Sequence, residues 1–331
     1  MYLISLLTIF LISIFILNGS SKIGSLFKII DYPNKRKLNK NKAVKIGSIL
    51  FAFPIFSILI LTFINQSLLN IEIISLTFIF LCLFTIGFVD DRISLSATKK
   101  IILYFIISFL FIKLNSRFEI NSLNFYFFEA KDIKSIGIYF TCFCIISLII
   151  ASDLMDGINL NAGIFFLSKL LVIFFIFNDL FISKKFVFFL IIPLAVFLIY
   201  NFKGKVYLGT GGTCVLAFFL SLIFIEQANN FPNFLSATHI LAILLIPGID
   251  MIRVFLIRFF KNGKIFTPDK RHLHHLLENK FGINKTIVIL SSLYISIDFI
   301  SFYLYDFIYY LILFQIISFI TILRVCTKII K

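Results

Sequence analysis

The stretch Ile73-Ile-Ser-Leu-Thr-Phe-Ile-Phe-Leu-Cys-Leu-Phe-Thr-Ile-Gly-Phe-Val89 runs for seventeen residues without a charge and ends abruptly on Asp90-Asp91-Arg92. A helix needs about 20 largely apolar residues to cross the hydrocarbon core of a bilayer, so this run reads as a membrane helix with a polar cytoplasmic end. Runs of the same kind recur at residues 2–17, 46–64, 162–177, 186–200, 235–257, 287–304 and 307–325, with shorter ones at 101–112, 136–150 and 213–225. The pattern predicts an all-α, polytopic integral membrane protein with about 10 to 11 transmembrane helices, organised as a single domain over residues 1–331. The first run has no preceding basic residue and no small-residue cleavage site after it, so it is expected to stay as an uncleaved first helix.

Composition agrees. Of 331 residues 60% are apolar and 14% charged, against roughly 25% charged in a soluble domain, and the mean hydropathy is +1.05. A cytosolic enzyme, a disordered chain and a coiled coil are excluded. The net charge of +15 would suggest nucleic acid in a soluble protein, but no recognition motif accompanies it. The basic residues instead follow alternate loops, as cytoplasmic ends of membrane helices do. Eight fall between residues 22 and 45, eight between 253 and 285, and 24 of the 31 lie on one expected side. The lipid bilayer is therefore an expected partner and nucleic acid is not. The five cysteines form no CxxC pair and read as core residues.

The informative polar residues sit in the loops assigned to the cytoplasm, at about 18–45, 90–100, 151–161, 201–213 and 253–285. In Asp31-Tyr-Pro-Asn-Lys-Arg36-Lys37, a planar guanidinium and a point charge beside a proline can hold phosphate. Plain positive-inside charge is the competing reading. Asp90 and Asp91 are adjacent carboxylates at a helix end, a costly pairing that suggests a hard cation such as magnesium bridging carboxylates and phosphates. A water-exposed helix end neutralised by Arg92 explains them equally well. Asp153 and Asp156 are three apart and share a helical face, followed by Gly157 and Asn159; an Asx-rich turn is the alternative. In Gly209-Thr210-Gly211-Gly212 the amides before a helix can receive an anion, although no Walker motif follows. Three of the four histidines, His272, His274 and His275, stand beside Arg271. Without a neighbouring Cys or a His-Glu-x-x-His pattern they suit hydrogen bonding to a diphosphate better than zinc.

Taken in order, these loops resemble those of the polyprenyl-phosphate N-acetylhexosamine-1-phosphate transferases, relatives of phospho-N-acetylmuramoyl-pentapeptide transferase. Asp31, Pro33, Arg36 and Lys37 match the first motif and Asp90-Asp91-Arg92 the second. Asp156-Gly157 match the third, and Pro268, Asp269, His272, His274 and His275 the last. The resemblance implies attack by undecaprenyl phosphate on the β-phosphate of a UDP-sugar donor, with magnesium (manganese as the alternative ion) and release of UMP, at the bacterial inner membrane. It implies a catalytic set of Asp90, Asp91 and Asp156, with Asp91 and Asp156 at the metal. Arg36, Lys37, Asp153, Asn159, Thr210, Arg271, His272, His274 and His275 would contact substrate. A homodimer stays open as an assembly.

The chain departs from the family pattern at Asn39 (usually His), Asn159 (usually Asp), Asp153 (usually Asn) and Thr210 (usually Asp after Gly). Asp153 can stand in for a lost carboxylate. Two competing classes follow: a noncatalytic membrane relative that binds polyprenyl phosphate or nucleotide sugar as a regulator, and a secondary transporter, whose mark would be broken helices at mid-membrane. Lys169, an ionisable group inside an apolar run, reads either as functional or as paired with an interior acid.

Overall fold

The computed structural model describes residues 2–32, 42–64, 71–177, 184–261 and 270–327. Thirteen α-helices are found among them: α1 (Tyr2–Asn18), α2 (Ser20–Phe27), α3 (Gly47–Ile64), α4 (Ile71–Ile93), α5 (Ala97–Leu114), α6 (Gly137–Met155), α7 (Asn161–Ile176), α8 (Lys184–Phe202), α9 (Gly209–Asn230), α10 (Ala237–Phe260), α11 (Leu273–Phe281), α12 (Ile283–Tyr303) and α13 (Ile308–Thr327). Six are long and apolar enough to cross a membrane, and α1 with α2, bent by 68° at Gly19, makes a broken span or a re-entrant pair. The described apolar parts of α3, α7 and α8 are shorter. The protein is a multi-pass, all-α membrane protein with fewer helices that qualify as spans among the described residues than the ten to eleven expected.

The architecture is organised around α9. Its sequence is apolar on every side after the glycines, and every residue from 209 to 227 is buried, as a helix without a polar face must be. Around it pack α3, α4 and α6. In lipid no hydrophobic drive separates helix from tail, so close backbone approach has to supply the packing. Here it is supplied by glycine. A Cβ on Gly87 of α4 would lie 2.3 Å from the Gly211 Cα, and one on Gly47 would lie 2.2 Å from the Leu208 carbonyl oxygen and 2.7 Å from the Gly212 Cα. Gly87→Ala is therefore expected to push α4 off α9 and destabilise the fold by about 1–3 kcal/mol. Thermal unfolding in detergent measures this, and an unchanged midpoint would refute the close-packing account.

A small sheet, absent from the sequence expectation, ties the loops together at the same end. Strands β1 (Ile30–Asp31) and β2 (Ala43–Lys45) pair antiparallel, and β2 pairs parallel with β3 (Val206–Tyr207) just before α9. Side chains alternate across a strand. Val44 accordingly packs toward Gly24 of α2, while Lys45 reaches Asp91. At the far end of the bundle, Arg117 pairs with Glu226 and the Asn229 amide donates to the Arg117 and Glu119 carbonyls, anchoring the other end of α9.

One charge pair lies deep among the helices. Lys169 of α7 donates to both oxygens of Asp298 on α12, at 2.9 and 3.0 Å, and both side chains are almost wholly buried. The ammonium also faces the Phe165 and Tyr294 rings. Pairing with an interior acid is thus the reading that holds for Lys169.

Candidate active site

At the end of α4 the chain turns into α5, and Asp90 closes that turn by accepting the Leu95 amide at 2.7 Å. Its other oxygen meets Lys100 at 3.2 Å, and the same ammonium reaches Asp153 at 3.2 Å. Lys100 therefore bridges carboxylates from two separate loops. The remaining Asp153 oxygen accepts from the Thr210 hydroxyl at 3.0 Å.

The glycine-rich first turn of α9 does present its amides to anions, but the anions are the protein's own carboxylates. The Thr210 and Gly211 amides donate to the two oxygens of Asp91 at 2.9 and 3.0 Å, and the Gly209 amide donates to Asp156 at 2.7 Å. Three consecutive amides at the positive end of the helix dipole thus hold two aspartates. The expectation of an open anion cradle at this loop is corrected: the cradle is already filled. Gly209 has φ +65°, and a Cβ there would lie 2.6 Å from Asp91, so only glycine fits this position. Lys45 from β2 stands 3.5 Å from Asp91.

The turn carrying Asp156 is held from both sides. The Asn161 amide group donates to the Met155 carbonyl at 3.0 Å, and the Tyr294 hydroxyl donates to Asn161 at 3.2 Å. The Asn201 side chain accepts the Leu160 amide. Leu160 itself sits at φ +66°, a strained conformation of the kind that surrounding contacts must enforce. Burial pushes the Asp156 carboxyl up to about 8; the Gly209 amide opposes this and the charges of Asp153 and Asp91 add to it.

The histidine motif closes over that turn. A side chain at Gly157 would come within 2.7 Å of His274 Nε2 and 3.2 Å of His275 Nε2. The His272 and His274 rings stack at 5.9 Å with an interplanar angle of 10°. Burial, together with the neighbouring His275 and His272, holds the His274 imidazole pKa well below its usual value. Three buried polar atoms at this junction have no hydrogen-bond partner among the described residues: His272 Nε2, His274 Nε2 and Asn159 Oδ1. Buried polar atoms without protein partners are left for a water, an ion or a ligand to satisfy.

The fold thus brings Asp90, Asp91, Asp153, Asp156, Asn159, Thr210, His272, His274 and His275 to one place. Arg271 begins the same motif, with its carbonyl accepting from Arg253. Arg36 and Lys37, with Pro33, Asn39, Pro268 and Asp269, lie outside the described residues. Lys45, Lys100, Asp250 and Arg253 were not among the expected site residues. An acid inside an apolar run, as Asp250 is, was the signal available for it.

Among the described residues no three His, Cys, Asp or Glu side chains form a ready cation cage. Both Asp91 oxygens are engaged by amides, whereas Asp156 Oδ1 receives no hydrogen bond from the described residues and Asn159 Oδ1 is orphaned. Two open oxygens suit magnesium, which keeps few protein ligands and shares the rest of its shell with water and substrate phosphates.

The family model for glycosyl transferase family 4 matches residues 73–228, which include Asp90, Asp91, Asp153, Asp156 and the whole of α9. Over that segment the chain is similar to this family. The chain is 23% identical over 285 residues to an undecaprenyl-phosphate alpha-N-acetylglucosaminyl 1-phosphate transferase of Salmonella typhi, covering 82% of this chain and 75% of the relative. The enzymes of the same name from Escherichia coli (strain K12), 23% identical over 283 residues, and Yersinia pestis, 25% over 281, cover the same shares.

Proposed function

We propose that this protein is a phosphoglycosyl transferase that moves a sugar-1-phosphate from a UDP-N-acetylhexosamine-type donor to undecaprenyl phosphate, starting a cell-envelope polysaccharide. An acceptor phosphate oxygen forms the new bond to the donor β-phosphorus, the bond from that phosphorus to the bridging oxygen breaks, and UMP leaves. Phosphoryl transfer asks for positioning and charge stabilisation more than for covalent chemistry. The observation that carries the reading is the junction at Gly157, where His274 Nε2 overhangs the turn that carries Asp156 and Asn159 and, like Asn159 Oδ1, has no partner among the described residues.

Magnesium, held by Asp156 and Asn159 with Asp91 fixing the turn behind them, would neutralise charge on the diphosphate. Asp90, poised between the Leu95 amide and Lys100, would orient the acceptor phosphate. His272, His274, His275 and Arg271 would hold the donor diphosphate. Arg36 and Lys37 would draw both anions inward. Concentration of basic residues on these loops supports a cytoplasmic orientation at the bacterial inner membrane.

The test is UMP release by the purified full chain with undecaprenyl phosphate, magnesium and a panel of UDP-N-acetylhexosamines. Release that requires lipid and metal is the expected result. Retained nucleotide or lipid binding without any turnover would instead identify a noncatalytic relative.

A further inference from the structure

Asp250 lies within α10, yet four hydrogen bonds converge on its carboxylate. It accepts from His272 Nδ1 at 3.0 Å and from Arg253 at 2.7 Å, and each of its oxygens lies 3.1 Å from the Leu273 amide. Leu273 is the first residue of α11. His272, at the N-cap position, makes no capping bond with its own side chain. Asp250 therefore caps α11 from another helix. One turn further along α10, Arg253 donates to the Arg271 carbonyl. Residues 271, 272 and 273 are thus each fixed by this one acid–base pair.

The consequence falls on His272. A carboxylate accepts only a hydrogen, so Nδ1 is assigned the proton and Nε2 becomes the atom left for a ligand. That Nε2 is buried and without a partner among the described residues. Its ring is held parallel to that of His274, whose own Nε2 overhangs Gly157. The geometry points to Asp250 as the positioning residue of the nucleotide-diphosphate site: through His272 and the α11 cap, it aims the histidine motif at the donor.

This rests on the transferase reading, because that reading places the donor diphosphate at the histidines. Residues that orient first-contact ligands typically lose 10- to 100-fold when changed. Asp250→Asn in the full chain is expected to weaken UMP binding, with magnesium present, by about 10- to 100-fold and to raise the donor KM alike. The undecaprenyl phosphate KM should stay within about twofold. His272→Gln should do the same, and the double variant should be no worse than the poorer single, since two residues acting as one unit are not additive. Multiplying losses in the double variant, or both substrate KM values rising together with a lower unfolding temperature, would overturn the assignment in favour of a structural role. Should Asp250→Asn not accumulate folded, Asp250→Glu keeps the charge but displaces it, and unchanged UMP affinity there overturns the assignment equally. Wild-type protein that binds UMP but turns over no donor would sink the transferase reading while leaving the Asp250 comparison decisive. Normal wild-type turnover with unaffected UMP affinity in Asp250→Asn would sink the positioning role alone. Absence of UMP binding by the wild type would remove both.

Discussion

Asp156→Asn is expected to lower UMP release by roughly 10²- to 10³-fold with little change in thermal unfolding, whereas Asp91→Asn is expected to lose both activity and stability. The difference lies in how the oxygens are used. Asp156 gives one oxygen to the Gly209 amide and keeps the other open. An asparagine can preserve the first contact with its carbonyl, but it puts an NH2 group where a cation would sit. Asp91 gives one oxygen to the Thr210 amide and the other to Gly211. Asparagine has one acceptor for these two donors, so one buried amide is orphaned at a cost of about 1–3 kcal/mol. The loss of the charge facing Lys45 adds to this. The measurements are UMP release across a magnesium titration and unfolding in detergent, for both variants. Equal loss of stability in the two would show that Asp156 is a structural anchor like Asp91. Full activity in Asp156→Asn would remove it from the reaction.

These separate fates show where sequence reading reaches its limit. Asp90, Asp91, Asp156 and the histidines were legible because carboxylates and imidazoles at the ends of apolar runs demand an explanation in bilayer physics. The helices were legible because their apolar runs are long. What occupies the α9 amides was not legible, since Asp91 and Thr210 are 119 residues apart and a glycine cluster alone says only that amides are accessible. The strands β1, β2 and β3 span two or three residues each, too few for an alternating pattern to register. Asp250 was absorbed into the apolar run 235–257, and its partners, His272 and Leu273, lie beyond the intervening loop. Thr210 and Asp153 were legible as separate departures from the family pattern; only the fold shows that they hydrogen-bond to each other.

Lys169→Met is expected to destabilise the protein by about 3–5 kcal/mol, and Lys169→Met combined with Asp298→Leu to recover most of that loss. Removing the lysine alone leaves Asp298 fully buried among the helices without its two charge-assisted bonds. Replacing both groups by apolar side chains of similar size removes the desolvation problem with the attraction. The effect should reach the site as well. The Lys169 ammonium faces the Tyr294 ring, and the Tyr294 hydroxyl donates to Asn161 at the end of the Asp156 turn. A charge pair that only stabilises the helices predicts that the double variant regains UMP release along with its unfolding temperature. If it regains stability but stays slow, the pair also positions the turn through Tyr294. If the single variant is as stable as wild type, the buried pair contributes nothing, and the intramembrane lysine requires a different explanation.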